Sequence, residues 1–471
     1  MSKLKPILPK AKAREAMEEI KPAFASQEAV TEANRCLYCY DAPCIMACPT
    51  GIDIPGFIKK IAYDNVKGAA RTILTANILG NSCARVCPTK VLCEGACVLE
   101  DRDHDPIDIG RLQRYATDRV LETGEQVVAV SPLKSGKKVA LIGGGPASLG
   151  CAAELVRLGH EAVVFEKKEH PGGLNTYGIA YYKMKPEISL AEVEMIEKLG
   201  VEFRCGIEVG TDLAVDKILQ EFDAVFLGIG LGQGRRLAIP GEDLPEVADA
   251  IDFIAEIHSQ PLETVKLGKN VVVLGCGNTA IDAVSQAKRL GAESATILYR
   301  RSEEEMSAYG FEYALAKSER CEFMFQVAPV EILETNGHVS GIRLAKTDSN
   351  AQPITGSEFT VNCDHVIKAL GQTKMEKTLL EWFPKLKLGA GGKIEVDPLT
   401  QETSIPGVYA GGDAANGGAE VVNAVAEGKR AALHLHQTFT GEAVTPPAQT
   451  TRYGIEPPFG SGFYEPVRVS G

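Results

Sequence analysis

The sequence predicts an α/β protein in which two parallel-sheet units follow a short α-helical module, and three observations predict it. Eight of the thirteen cysteines fall between Cys36 and Cys97, in loops between amphipathic segments of helical period. Beyond residue 137, short Val/Ile/Leu runs alternate with amphipathic helices, the pattern of a parallel sheet with helical crossovers. Two of those runs end in glycine clusters about 130 residues apart, so the same kind of unit is built twice.

A chain of 471 residues can bury several cores without covalent staples, so clustered cysteines need a chemical reason. Their odd number and uneven placement speak against a disulfide framework. A formal charge of −12 excludes a general nucleic-acid binder, which needs a basic face. The first residues are basic without an apolar core, and no apolar run reaches the roughly 18 residues of a membrane span. A cytoplasmic protein that meets small molecules or other proteins is expected.

Along the chain, EAMEEIKPAF (15–24), IPGFIKKIAYDNVKGAARTIL (54–74) and GRLQRYATDRVLETG (110–124) read as helical. VSPLKSG (130–136) reads as a linker. Strands follow at 139–145, 162–166, 224–230, 271–277, 295–300 and 365–371. The expected domains are 1–130, helical; 131–262 plus 372–441, the first nucleotide unit; and 263–371, the second. The Pro/Gly/aromatic tail 442–471 shows neither period and is expected to lie extended.

The first glycine cluster, GGGPASLG, places Gly143, Gly145 and Ser148 between a strand and a helix. The first glycine permits the turn, the second lets a pyrophosphate approach the backbone, and the helix N-terminus supplies N–H groups and positive dipole. Ser148 stands where a third glycine is usual, and its small side chain still allows close packing. Glu166, ending the next strand, is placed to accept from ribose hydroxyls, which suits FAD. The unit is therefore Rossmann-like. Gly173 in HPGGL and the late IPGVYAGGD stretch make the element order resemble the two-dinucleotide-domain flavin reductases. That resemblance assigns Asp413 to the ribityl and pyrophosphate region of FAD.

The second cluster, GCGNTAIDA, gives Gly275, Gly277 and Ala280, an alanine-ending fingerprint common for nicotinamide dinucleotides. Its following strand ends in Arg300 and Arg301 rather than an acid, and guanidinium forks suit a 2′-phosphate. NADP is favoured on that ground. The acidic run Glu303 to Glu305 beside them keeps NAD open.

The cysteines read C-x2-C-x4-C-x3-C-P from Cys36 to Pro49 and C-x3-C-P-x4-C-x3-C from Cys83 to Cys97. Zinc sites usually repeat a simple C-x2-C pair, whereas the C-x3-C-P ending is an iron-sulfur habit. Two 4Fe-4S clusters are expected, with zinc as the alternative. Cys151, Cys205, Cys276, Cys321 and Cys363 are scattered through α/β segments as small apolar residues.

Taken with PIDIGRLQRYATD (106–118), these motifs resemble the electron-input subunit of bacterial NAD(P)-dependent dihydropyrimidine dehydrogenase, and also the glutamate synthase small subunit. The resemblance implies two Rossmann-like domains, for FAD and NAD(P), preceded by an α-helical iron-sulfur domain. It assigns Cys36, Cys39, Cys44 and Cys97 to one cluster and Cys48, Cys87 and Cys93 to the other. The fourth ligand of the second is Gln113 by resemblance to the pyrimidine enzymes, or Cys83 by composition. Glutamate synthase small subunits tend to carry glutamate at the position of Gln113. Ala180 and Lys183 depart from the proline and arginine often seen in the flavin-side stretch, and MSAYG departs from the usual M-P. Electrons are expected to pass from NAD(P)H to FAD, through the clusters, and on to an FMN barrel subunit in a hetero-oligomer that reduces uracil or thymine. Hydride transfer between stacked cofactors asks for geometry rather than an acid or base, so no catalytic side chain is nominated. The alternatives are glutamate synthase, a related iron-sulfur flavoprotein, and a cluster-based redox sensor.

Overall fold

The computed structural model describes residues 2–100 and 104–442. The expected tail beyond residue 442 lies outside the described residues. The leading helices are α1 (Lys10–Ala16), α2 (Ser26–Ala33), α3 (Pro43–Met46), α4 (Ile54–Ala62), α5 (Val66–Ala76), α6 (Gly80–Val86) and α7 (Ile109–Thr123). The stretch read as one helical segment at 54–74 is two helices. Asp64 turns the chain at φ 58°, and Asn65 caps α5 by accepting from Gly68 N–H at 2.9 Å.

α1 stops at Ala16, short of the helix expected to run on to Phe24. Met17 is buried beside Phe253 and Ile257, and Ile20 N–H donates to the Tyr182 carbonyl at 3.0 Å. Tertiary packing overrides helix propensity there. Residues 3–17 therefore lie against the second nucleotide unit: Lys5 bridges Leu267, and Arg289 Nη1 donates to Ala16 O at 2.9 Å.

The first unit runs β1 (Lys138–Ile142), α8 (Pro146–Arg157), β2 (Glu161–Glu166), α9 (Leu174–Tyr177), α10 (Pro186–Leu199), β3 (Glu202–Cys205), α11 (Val215–Glu221) and β4 (Ala224–Leu227). The second is β5 (Val247–Asp249), α12 (Ala250–Ser259), β6 (Asn270–Leu274), α13 (Asn278–Arg289), β7 (Ser294–Leu298), α14 (Gly310–Ser318), β8 (Glu322–Met324), β9 (Val327–Thr335), β10 (His338–Lys346), β11 (Phe359–Val361) and β12 (His365–Lys368). The chain then returns to the first unit through α15 (Glu376–Trp382), β13 (Val408–Ala410), α16 (Asp413–Asn416) and α17 (Val421–Thr440).

Each unit holds a five-stranded parallel sheet, ordered β13-β4-β1-β2-β3 and β5-β12-β6-β7-β8. In both, the chain leaves the fingerprint strand toward one side of the sheet (β1 to β2, β6 to β7) and later returns to pair on its other side (β4, β12), so a crevice opens past its C-terminal end. One face of the first sheet shares a core with the helical module, where Phe57, Ile61 and Leu112 join Val139, Leu141 and Leu149. The opposite face of the second sheet is covered by an antiparallel sheet, β11-β10-β9, that the sequence reading did not include. Its hairpin turns on Asn336 and Gly337, at φ 56° and 76°.

α10 is pinned to α6 by Glu192, which accepts from Asn81 N–H at 2.8 Å, from Ser82 N–H at 3.1 Å and from the Ser82 hydroxyl. Burial pushes this carboxyl from 4.5 up to about 7. Between those values the unfolded chain has released the proton while the folded chain still holds it. Stability therefore falls as pH rises across that window. Glu192→Gln should flatten this part of a melting-temperature profile, and an unchanged slope would refute the assignment.

Candidate functional site

Two cysteine-lined cavities lie in the helical module. Cys36, Cys39, Cys44 and Cys97 line the first, so the last cysteine of the second run closes on the first three of the first run. Cys48, Cys87 and Cys93 line the second, together with both Cys83 and Gln113. Ile54 lines both, which leaves one side chain between them. Buried Glu94 holds the loop between them, accepting from Thr89 Oγ1 at 2.7 Å and from Gly110 N–H at 2.9 Å. That fixes the second cysteine run against the start of α7, the helix that carries Gln113.

Gln113 donates through Nε2 to Gly80 O at 2.6 Å, so its amide oxygen is the end left for the cavity. Cys83 is buried and shares a hydrogen bond with Cys87. The competition between the two residues therefore takes place on one wall. All the described cysteines are free thiols. Burial, then the neighbouring Cys36, Cys97 and Cys39, pushes the Cys44 thiol up to about 12. Thiolates crowded among Ile, Leu and Pro side chains require a cationic group to hold them ionised. Among the described residues, no three His, Cys, Asp or Glu side chains close on a point as a single ion would need. The cysteines of each set stand around a void.

In the first unit, Gly143 turns at φ 90°, and a Cβ there would lie 2.5 Å from Gly228 O at the end of β4. Gly145 begins α8 with no side-chain cap. Among the described residues, an added Cβ on it would meet only Gly228 O within 4 Å, at 3.8 Å, which leaves room for a group beside the first turn of the helix, whose leading N–H groups have no intrahelical partner. Ser148 is fully buried and its Oγ has no partner among the described residues. Glu166 accepts from Gly144 N–H at 2.7 Å, which ties the acid to the fingerprint loop. Gly173, at φ 55°, packs against Gly145.

Asp413 starts α16, and burial raises its carboxyl above the ordinary range. Neighbouring Glu427 accepts from Gly412 N–H at 2.6 Å. Lys374 Nζ donates to Gly417 O at 3.1 Å and Lys393 Nζ to Asn416 O at 3.4 Å. These two lysines brought to the Asp413 turn were not read from the sequence, because nothing local marks them. Val422, in the first turn of α17, lines the second cysteine cavity. One helix thus joins the Asp413 turn to the cysteine module.

The second fingerprint repeats the first. Gly275 turns at φ 118°, where a side chain would strike Ala369 O at the end of β12, and Gly277 begins α13 without a side-chain cap. Ala280 is fully buried. Arg300 and Arg301 are exposed past the end of β7. Of the adjacent acids, Glu303 accepts from Tyr313 OH at 2.7 Å and Glu305 from Ser302 N–H at 3.2 Å. Lys183 is enclosed between Asp282 at 2.7 Å and Glu312 at 2.6 Å. The residue that departs from the flavin-side pattern therefore locks the two nucleotide units together. In the MSAYG stretch, Tyr309 N–H donates to Asn278 Oδ1 at 3.0 Å and Tyr309 OH to Glu420 at 2.8 Å. Cys151, Cys276, Cys321 and Cys363 are buried one by one, and Cys205 is half-buried.

Residues 13–125 match the family model described as "Dihydropyrimidine dehydrogenase domain II, 4Fe-4S cluster". Residues 137–428 match "Pyridine nucleotide-disulphide oxidoreductase". The chain is 37% identical over 439 residues to the glutamate synthase (NADPH) small chain of Escherichia coli (strain K12), covering 88% of this chain and 92% of that one. It is 34% identical over 425 residues to the NAD-dependent dihydropyrimidine dehydrogenase subunit PreT of the same organism, covering 90% and 98%. The fold is shared with the thioredoxin reductase of T. acidophilum, at TM-score 0.51 and 20% identity, over 64% of this chain and 99% of that chain. No helix among the described residues is long and apolar enough to cross a membrane.

Proposed function

The chain belongs to the pyridine nucleotide-disulphide oxidoreductase family with a 4Fe-4S module ahead of it, and on that premise we propose that it is the electron-input subunit of an NAD(P)-dependent dihydropyrimidine dehydrogenase. In this reading it acts in the cytoplasm, within a hetero-oligomer whose FMN barrel subunit reduces uracil or thymine to the 5,6-dihydropyrimidine. The reading rests on Gln113, which lines the second cavity where the resemblance to the pyrimidine enzymes calls for a glutamine ligand.

FAD, held by Gly143, Gly145, Ser148, Glu166, Gly173 and Asp413, supplies the conversion of a two-electron hydride into single electrons. The protein's part is placement. The α8 and α13 N-termini hold pyrophosphate groups, Ser148 offers its unpartnered hydroxyl, and Lys183 keeps the nicotinamide unit against the flavin unit. The α/β cysteines are isolated from one another, so no dithiol pair among the described residues offers an exit. The way out is the cysteine module, with two 4Fe-4S clusters: Cys36, Cys39, Cys44 and Cys97 hold one, and Cys48, Cys87, Cys93 and Gln113 the other.

A glutamate synthase small chain is the second reading, favoured by the 37% identity. The test is to mix the purified chain with each kind of partner. NAD(P)H oxidation that depends on uracil or thymine with an FMN barrel subunit supports the first reading. Dependence on glutamine and 2-oxoglutarate with a glutamate synthase large subunit replaces it.

Arg300 and Arg301 are assigned to the 2′-phosphate of NADP. Replacing both with alanine should raise KM for NADPH about ten- to a hundredfold, the equivalent of roughly 1.4 to 3 kcal/mol, with little change for NADH. Equal losses with the two nucleotides would withdraw the assignment and leave NAD as the substrate.

A further inference from the structure

We propose that Asn77 donates its side-chain N–H to a sulfur of the group held in the second cysteine cavity and thereby raises that group's reduction potential. The inference rests on the cluster reading above and adds a residue that nothing in that reading assigns. Asn77 ends α5 in an extended conformation and is fully buried. Its Oδ1 accepts from Leu79 N–H at 3.0 Å, which fixes the amide: the oxygen faces the start of α6 and the nitrogen faces away. Its Nδ2 has no partner among the described residues.

A buried amide donor left unpaired keeps the full penalty of leaving water, so folded proteins seldom keep one without an acceptor. Asn77 lines the cavity that Cys48, Cys87 and Cys93 also line. The other amide and hydroxyl donors there, unlike Asn77 Nδ2, each have a partner: Gln113 Nε2 on Gly80 O and Thr89 Oγ1 on Glu94. The apolar lining, which includes Ile52, Ile54 and Leu92, offers no acceptor. An iron-sulfur group bound by these cysteines would present thiolate and sulfide sulfur to the free N–H. The first cavity differs, because its lining is cysteine and apolar residues alone, with no amide or hydroxyl side chain. A hydrogen bond to cluster sulfur favours the reduced state, which carries the extra negative charge, so it moves the potential upward. The two cavities should therefore hold groups of unequal potential for a reason that lies outside their ligands.

The test is an anaerobic redox titration of the full-length, cluster-loaded chain followed by EPR, comparing wild type with Asn77→Asp and Asn77→Leu. Asn77→Asp keeps the acceptor for Leu79 N–H and removes the donor, whereas Asn77→Leu removes both and adds no charge. Expected is a downward shift of one cluster signal in both variants, with the other signal unmoved. A second measurement needs no variant: selective 15N labelling of asparagine should give 15N hyperfine coupling on one reduced cluster. Unmoved potentials in fully loaded variants, or no 15N coupling in a wild type carrying both clusters, overturns the role of Asn77. A wild-type chain that binds only one cluster overturns the cluster reading itself.

Discussion

Cys48→Ser should reduce iron from about eight to about four atoms per chain, while FAD and its reduction by NAD(P)H are retained. Delivery of electrons to a partner should fall by roughly a hundredfold or more, because Cys48, from the first cysteine run, lines the second cavity and in the proposed function holds its cluster. That cavity is the one touched by Val422 of α17, so it is the nearer to the Asp413 turn. Iron and sulfide analysis, with stopped-flow absorbance of the flavin, separates the two effects. Full iron content, or a flavin no longer reduced by NAD(P)H in a folded chain, would contradict this placement.

The second large effect comes from Gly428→Ala. Gly428 lies on α17 where an added Cβ overlaps Ala147 O of α8, with Cys151 N 2.8 Å away. The obstruction is backbone, so no side-chain rotation relieves it. Alanine gains up to about 1 kcal/mol in helix propensity. Overpacking costs about 1–3 kcal/mol and more where the backbone must move, so the clash decides the sign. The melting temperature should drop by about 2–8 °C, at roughly 2–4 °C per kcal/mol for a unit of this size, with lower FAD occupancy, since α8 carries the first fingerprint at its N-terminus. Gly310→Ala is the control: its Cβ meets nothing within 4 Å, so it should leave stability unchanged or raised. Equal melting temperatures for wild type and Gly428→Ala would mean that α8 and α17 separate freely.

Much of the architecture was legible because glycine leaves a mark wherever a strand turns sharply into a helix. Gly143 and Gly275 announced two β-turn-α fingerprints, and in both the chain turns at a φ that side chains avoid. The clustering and spacing of the cysteines was equally plain. Which cysteine joins which cavity came only with the family resemblance and not from spacing, because Cys97 approaches Cys36 through the packing of α7 and the loop held by Glu94. The antiparallel sheet did have a local signal that went unread: Thr335-Asn336-Gly337-His338 is an Asn-Gly hairpin turn between alternating strands. The early end of α1 had none, since Met17 leaves the helix for a core built by residues more than 230 positions away. Asn77 and Lys374 are similar cases. Each is an ordinary polar residue until the fold sets it against a cysteine cavity or the Asp413 turn.

In the proposed function one chain joins a nicotinamide, a flavin and two iron-sulfur clusters in series. That series is tested most directly by anaerobic titration of the loaded wild-type chain with NAD(P)H and then dithionite, followed by absorbance and EPR. Expected are flavin bleaching by NAD(P)H and, at full reduction, about four electrons per chain with two interacting cluster signals. Uptake that stops at the two electrons of the flavin, with no cluster signal at any potential, would contradict it.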